Sequence, residues 1–117
     1  MEKEYVQKYA ELYHHHWWWR AREEIIVDTL RRRFGRSASL RILDVGCGDG
    51  LFFDRLSGFG SVEGVEPEAE AVSTGNPHRN KIHLCGLEEF TPTAAYDLVL
   101  LLDVLEHLED PIGRAHV

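Results

Sequence analysis

Apolar residues recur along the chain in two rhythms. Between residues 4 and 34 they fall at helical spacing. Tyr5, Tyr9, Leu12, Tyr13 and Trp17 make one stripe, and Trp18, Arg22, Ile25, Ile26, Thr29, Leu30 and Phe34 make a second. Two helical segments are expected there, with Gly35 as the C-cap. The rhythm then changes to short continuous runs at 40–45, 61–65, 82–85 and 97–102, which read as strands. The run at 97–102 is apolar enough to be buried on both faces. Between the strands, 50–57 reads as a helix with Phe52, Phe53 and Leu56 facing the sheet and Gly58 stopping it. Pro67 opens a short helix reaching residue 73. Residues 74–80 read as a loop, 87–90 as one helical turn, and 104–108 as the start of a helix broken at Asp110-Pro111. Strands alternating with helices predict an α/β architecture of three layers, with parallel strands in the order 3-2-1-4. Residues 1–36 would form a helical cover and 37–117 the sheet unit.

Composition narrows the function classes. The chain has 117 residues, 44% of them hydrophobic, which suits one compact domain. Thirteen basic against 20 acidic residues give a net charge of −7, which argues against a general nucleic-acid binder. Arg31, Arg32, Arg33, Arg36 and Arg41 do cluster. They read either as a helix end, where cations suit the dipole, or as an anion-contacting patch. No run approaches a membrane span, and Met1-Glu2-Lys3-Glu4 is not a signal peptide, so a cytoplasmic location away from membranes is expected. Cys47 and Cys85 end strands separated by another strand, so free thiols are expected. Three consecutive histidines, His14 to His16, point about 100° apart on a helix and make no metal site; none is expected elsewhere.

The chemistry concentrates at Leu43-Asp44-Val45-Gly46-Cys47-Gly48-Asp49-Gly50. A buried strand runs into a loop with glycine at every second position. A second acid, Glu66, closes the next strand, at the spacing of about 20 residues seen in adenosine-binding α/β sheets. Such glycines let the chain turn sharply and let a ligand touch the backbone. The dinucleotide fingerprint wants a third small residue three positions after the second glycine. Here position 51 is Leu, which disfavours a nicotinamide-binding domain without removing it.

With Asp44 two residues before the first glycine, the loop resembles the D/E-x-G-x-G-x-G motif of class I S-adenosylmethionine-dependent methyltransferases. Three later segments match that family in order. Val62-Glu63-Gly64-Val65-Glu66-Pro67 resembles its second motif, Leu84-Cys85-Gly86-Leu87-Glu88-Glu89-Phe90 its third, and Tyr96-Asp97-Leu98-Val99 through Asp103-Val104-Leu105-Glu106-His107-Leu108 its fourth. His16-Trp17-Trp18-Trp19-Arg20-Ala21-Arg22 is similar to the first helix of a bacterial small-molecule subgroup. The resemblance implies a Rossmann-like fold with S-adenosylmethionine as cofactor and S-adenosylhomocysteine as product. Gly46, Cys47, Gly48 and Gly50 would cradle the donor, Asp44 would reach its ammonium, and Glu66 beside Pro67 would take the ribose. Gly86 and Leu87 would meet the adenine through backbone, and Asp103 and Val104 would lie under the methionine portion. Two plainer readings stand beside these: Asp44 as a strand-end acid bonding loop amides, and Glu66 as an acid at a helix start.

Methyl transfer to an alcohol needs a place for the proton, and His107, with Glu106 beside it, is the one candidate base. A partly exposed structural histidine is the alternative. Trp17, Trp18 and Trp19 suit core or lid packing, and Arg20 and Arg22 could pair with Glu23, Glu24 or an acid of the site. The family sheet has seven strands, of which four are legible; three more would take roughly another 90 residues. The chain therefore reads as a truncated, cofactor-binding half of a methyltransferase acting on a small molecule such as a sugar, lipid or quinone precursor. A non-catalytic binding module is the rival reading. An open fourth strand is expected to pair, giving a homodimer along that edge or by segment exchange.

Overall fold

The computed structural model describes residues 17–35, 39–92 and 94–102. A helix α1 (Trp17–Phe34) leads into β1 (Leu40–Val45), a one-turn helix α2 (Phe53–Leu56), β2 (Gly60–Val65), β3 (Ile82–His83) and β4 (Leu98–Leu100). Three 3-10 turns, Ser57–Phe59, Ala69–Ala71 and Arg79–Lys81, complete the connections. All strand pairs are parallel, and the order is β3-β2-β1-β4, as the alternation of elements predicts. β1 and β2 pair over their full lengths, from Leu40 opposite Gly60 to Val45 opposite Val65.

Side-chain alternation along β1 and β2 splits the core in two. Ile42 and Val62 point to the face covered by α1 and α2, where they meet Val27, Leu30, Phe52, Phe53, Leu56, Phe59, Val72, Ile82 and Leu100. Leu43, Val45 and Val65 point to the other face, against Leu87, Phe90 and Tyr96 of the segment after β3. That face carries a polar seam as well. Arg41 donates to Glu63 at 3.1 Å, His83 Nε2 sits 3.0 Å from the other Glu63 oxygen, and the Arg41 guanidinium stacks 4.3 Å from the Tyr96 ring. Burial pushes the Glu63 carboxyl up, but the hydrogen bonds from His83 and Arg41 outweigh it and hold Glu63 below its ordinary value.

Several elements are shorter than the apolar runs imply. The helix expected over 50–57 begins only at Phe53, because Gly50 is left-handed (φ 71°) and residues 50–52 are spent on a turn. The helix expected after Pro67 is only the turn Ala69–Ala71. β3 stops at His83 because the Cys85 N–H turns back to bond His83 O. β4 starts one residue late and stops two residues early, and it is not doubly buried: Val99 is 41% exposed. Its start is fixed by Asp97, which exchanges backbone and carboxylate bonds with Arg41 at 2.8 Å each. The expected helix at 104–108, and the part of the N-terminal cover before residue 17, lie outside the described residues.

α1 ends as expected: Gly35 is left-handed (φ 79°) and its N–H bonds Arg31 O at 2.9 Å. Arg31, Arg32 and Arg33 occupy its last turn, exposed, with Arg32 paired to Asp28. Its buried stripe is rotated from the expected one. Val27 and Leu30 are buried with Ile26 and Phe34 half-buried, whereas Trp17, Trp18 and Ile25 are exposed. Trp17 and Trp18 are therefore not core residues. Three adjacent β-branched residues at 25–27 admit either rotation, and only contact with the sheet selects one. Glu23 and Glu24 both pair with Arg55 of α2.

The chain breaks after α2 at Gly60, not at Gly58. Gly60 has φ 150°, and a Cβ there would lie 1.9 Å from Leu40 O. A Cβ on Gly58 would meet nothing within 4 Å. Gly60→Ala is therefore expected to cost more than about 2 kcal/mol in urea unfolding, and Gly58→Ala to stay within about 0.5 kcal/mol of the parent.

Candidate ligand cleft at the carboxyl edge of the sheet

β1 lies where the strand order reverses, between β2 and β4. In open parallel sheets the crevice for a ligand opens at that point, beyond the carboxyl ends of the strands. The residues there are Asp44 and the loop Gly46-Cys47-Gly48-Asp49-Gly50. Gly46, Gly48 and Gly50 all adopt left-handed conformations, with φ of 73°, 56° and 71°. A side chain at any of the three would be strained, which is why glycine stands at every second place. Above Gly48 there is open space: a Cβ would meet nothing within 4 Å.

The loop is held by the end of β2. Gly46 N–H donates to Val65 O at 2.7 Å, and Gly48 N–H donates to Glu66 Oε1 at 2.9 Å. The other Glu66 oxygen accepts from Glu68 N–H at 3.0 Å. Glu66 is 8% exposed and thus ties the glycine loop to the turn after β2. Glu66 also takes part in the sheet edge itself, since its N–H bonds His83 O at 2.9 Å. That bond brings the end of β3, and with it Gly86 and Leu87, to the same edge. Gly86 and Leu87 form a tight turn in which Glu89 N–H bonds Gly86 O at 3.1 Å.

Both plainer readings of the two acids need revision. It is Glu66, not Asp44, that bonds a loop amide. Glu66 in turn starts no α-helix: it takes the Glu68 N–H, and the turn Ala69–Ala71 that follows has no side-chain cap bond.

Asp44 is 5% exposed. Burial first, and the neighbouring Glu66 charge second, push its carboxyl up to about 7, with Arg22 of α1 opposing them. Burial, with the charges of Asp44 and Glu66, also pushes the Cys47 thiol up, so Cys47 is a protonated, half-buried packing group. Cys47 and Cys85 are both free thiols.

Two contributors were missed in sequence. The first is Gly64 on β2. A Cβ there would come within 2.3 Å of Cys47 Sγ and 2.8 Å of Phe53, so Gly64 makes the room that lets the loop settle on the sheet. The second is Asp49, whose carboxylate accepts from Ser73 N–H at 2.8 Å and Ser73 Oγ at 2.9 Å. Spacing does not reveal a glycine that serves a neighbour's side chain, or an acid whose partner lies 24 residues on. Pro67 follows Glu66 as an exposed residue of the turn. Asp103, Val104, Glu106 and His107 lie outside the described residues. Among the described residues there is no cluster of metal-binding side chains, and no helix is long and apolar enough to cross a membrane.

The Asp44 shift has a testable sign. An acid whose folded value lies above its unfolded value favours the fold at low pH and disfavours it as pH rises. Asp44 is expected to erode stability between about pH 4 and pH 7 and to add no further slope above that. Asp44→Asn removes this slope. Urea unfolding from pH 4.5 to 8 is expected to find the variant more stable at pH 8 by on the order of 2 kcal/mol, with the gap closing toward pH 4.5.

Comparison with known proteins follows the same lines. The family described as "Methyltransferase domain" matches residues 18–115. A protein of Bradyrhizobium diazoefficiens named "Ubiquinone biosynthesis O-methyltransferase" is 35% identical over 99 residues, covering 73% of this chain and 39% of the relative. A protein of the same name from Rhodopseudomonas palustris is 34% identical with the same coverage. The chain thus spans about two fifths of the length of the curated relatives it matches. Among solved structures, the plantazolicin methyltransferase BpumL, in complex with a pentazolic desmethylPZN analog and SAH, aligns with a TM-score of 0.70 at 20% identity, over 97% of this chain and 46% of that one. Streptomyces venezuelae DesVI aligns with a TM-score of 0.54 at 21% identity, over 80% and 43%. These two likenesses establish the Rossmann-like fold.

Proposed function

The chain belongs to the methyltransferase-domain family, and from that premise we propose that its carboxyl-edge cleft binds S-adenosylmethionine for methyl transfer to a small molecule. The observation that carries the reading is Glu66. It is a buried carboxylate at the end of β2, beside an open glycine loop, at the strand-order reversal. Each Glu66 oxygen accepts one backbone N–H and keeps a second lone pair, so the carboxylate can also accept from the two ribose hydroxyls. The bound donor supplies an electrophilic methyl group on a sulfonium. This chain's residues do the holding. Gly46, Cys47, Gly48 and Gly50 present backbone without crowding, Asp44 is the acid placed for the donor's ammonium, and Gly86 with Leu87 offers main-chain atoms to the adenine edge.

The relatives named for ubiquinone biosynthesis favour an oxygen acceptor on a quinone precursor over a sugar or a lipid. Titration calorimetry tests the cofactor. S-adenosylmethionine and S-adenosylhomocysteine are expected to bind and NAD is not, and Glu66→Gln is expected to weaken both sulfur nucleosides at least tenfold, about 1.4 kcal/mol. Binding of NAD alone would overturn the assignment.

We also infer self-association through β4. Its pairing with β1 uses one edge, and Val99 carries 41% exposure on a short apolar strand. Light scattering is expected to find a dimer, and Val99→Lys to shift it toward monomer; a parent protein that is monomeric at working concentration contradicts this.

A further inference from the structure

The connection from β2 to β3 does not do what its length suggests. Residues 73–78, expected as a plain loop, fold back to the glycine loop and grip it at Asp49. The Asp49 carboxylate takes the N–H and the hydroxyl of Ser73, and the Asn76 side-chain amide donates to Asp49 O at 2.6 Å and also to the Asp49 carboxylate. The grip is anchored at both ends. On one side Val72 is buried in the core, and Arg79 bonds Val72 O at 3.0 Å. On the other, Asn76 Oδ1 accepts from His78 N–H at 2.7 Å, and the His78 ring packs 5.4 Å from Phe53 and pairs with Asp54 at 3.2 Å. The strap therefore runs from the core, across the loop, to the helix that follows the loop.

Asp49 is where such a grip has to act. The residues on either side of it are left-handed glycines, which have no side chain to hold and the widest conformational freedom. A loop of that composition is loose unless something outside it fixes its shape. We propose that Asp49, Ser73 and Asn76 are positioning residues: they hold the glycine loop in the shape that receives the nucleoside, so that the ligand does not have to order it on binding. This rests on the cofactor assignment above.

Amide exchange by NMR on the ligand-free protein reads the strap directly, and calorimetry with S-adenosylhomocysteine reads its consequence. Asn76→Ala and Ser73→Ala lie at a loop surface and leave the core untouched. Each is expected to speed exchange at Gly48, Asp49 and Gly50 at least tenfold, to weaken nucleoside binding at least fivefold, and to leave the unfolding midpoint in place. Ser73→Thr keeps the hydroxyl and is expected to restore both readouts relative to Ser73→Ala, while Thr74→Ala, next door but outside the grip, changes neither. Unchanged loop exchange in the alanine variants, or faster exchange with unchanged affinity, overturns the proposal. A parent protein that binds no S-adenosylhomocysteine overturns the cofactor assignment instead. The two failures are distinct because loop exchange is measured without ligand.

Discussion

The Glu66 carboxylate joins the two turns that leave the carboxyl edge of the sheet. One oxygen holds the Gly48 amide of the loop after β1, and the other holds the Glu68 amide of the turn after β2. Without it, the glycine loop would keep the Gly46 and Cys47 amides bonded to Val65 O, its internal Gly50 to Cys47 bond and the Asp49 bonds to Ser73 and Asn76, and the Gly48 amide would lose its partner. A carboxylate taking two amides out of water is a strong acceptor, and a buried amide left unbonded is costly. That single side chain sets how the two turns sit against each other, while Asp49 with Ser73 and Asn76 fixes the far part of the glycine loop.

Register is what brings Glu66 there. β1 and β2 pair without a bulge, so Asp44 lies opposite Gly64 and Val45 opposite Val65. The missing side chain at Gly64 is filled by Cys47 and Phe53, which seats the loop against the sheet. A dinucleotide fingerprint obtains close packing from a small residue in the following helix. Here the small residue is Gly64, on the neighbouring strand.

The two sheet faces respond to acid in opposite ways. On the cleft face Asp44 is buried next to another carboxylate, and it loses stability for the fold as it ionises. On the other face Glu63 is held charged by His83 and Arg41, and it loses its contribution only when acid protonates it.

Much of this was legible in the residues. The glycine spacing, the acids at 44 and 66, the parallel order and the helix end at Gly35 follow from local rules: left-handed conformations need glycine, and buried parallel strands need apolar runs. Other features depended on contacts between distant segments. The rotation of α1, with Ile25 exposed and Val27 buried, is decided by the sheet it lies on. The shortened β3 and β4 are decided by bonds from Cys85 and Asp97, which compete with continuation of the strand. The loop expected at 74–80 became a strap over Asp49 because Ser73 and Asn76 find a carboxylate 24 and 27 residues away. Sequence determined which backbone shapes were permitted and which faces were apolar; the tertiary structure decided which polar partners met, because hydrogen bonds between remote segments leave no periodic trace in a chain.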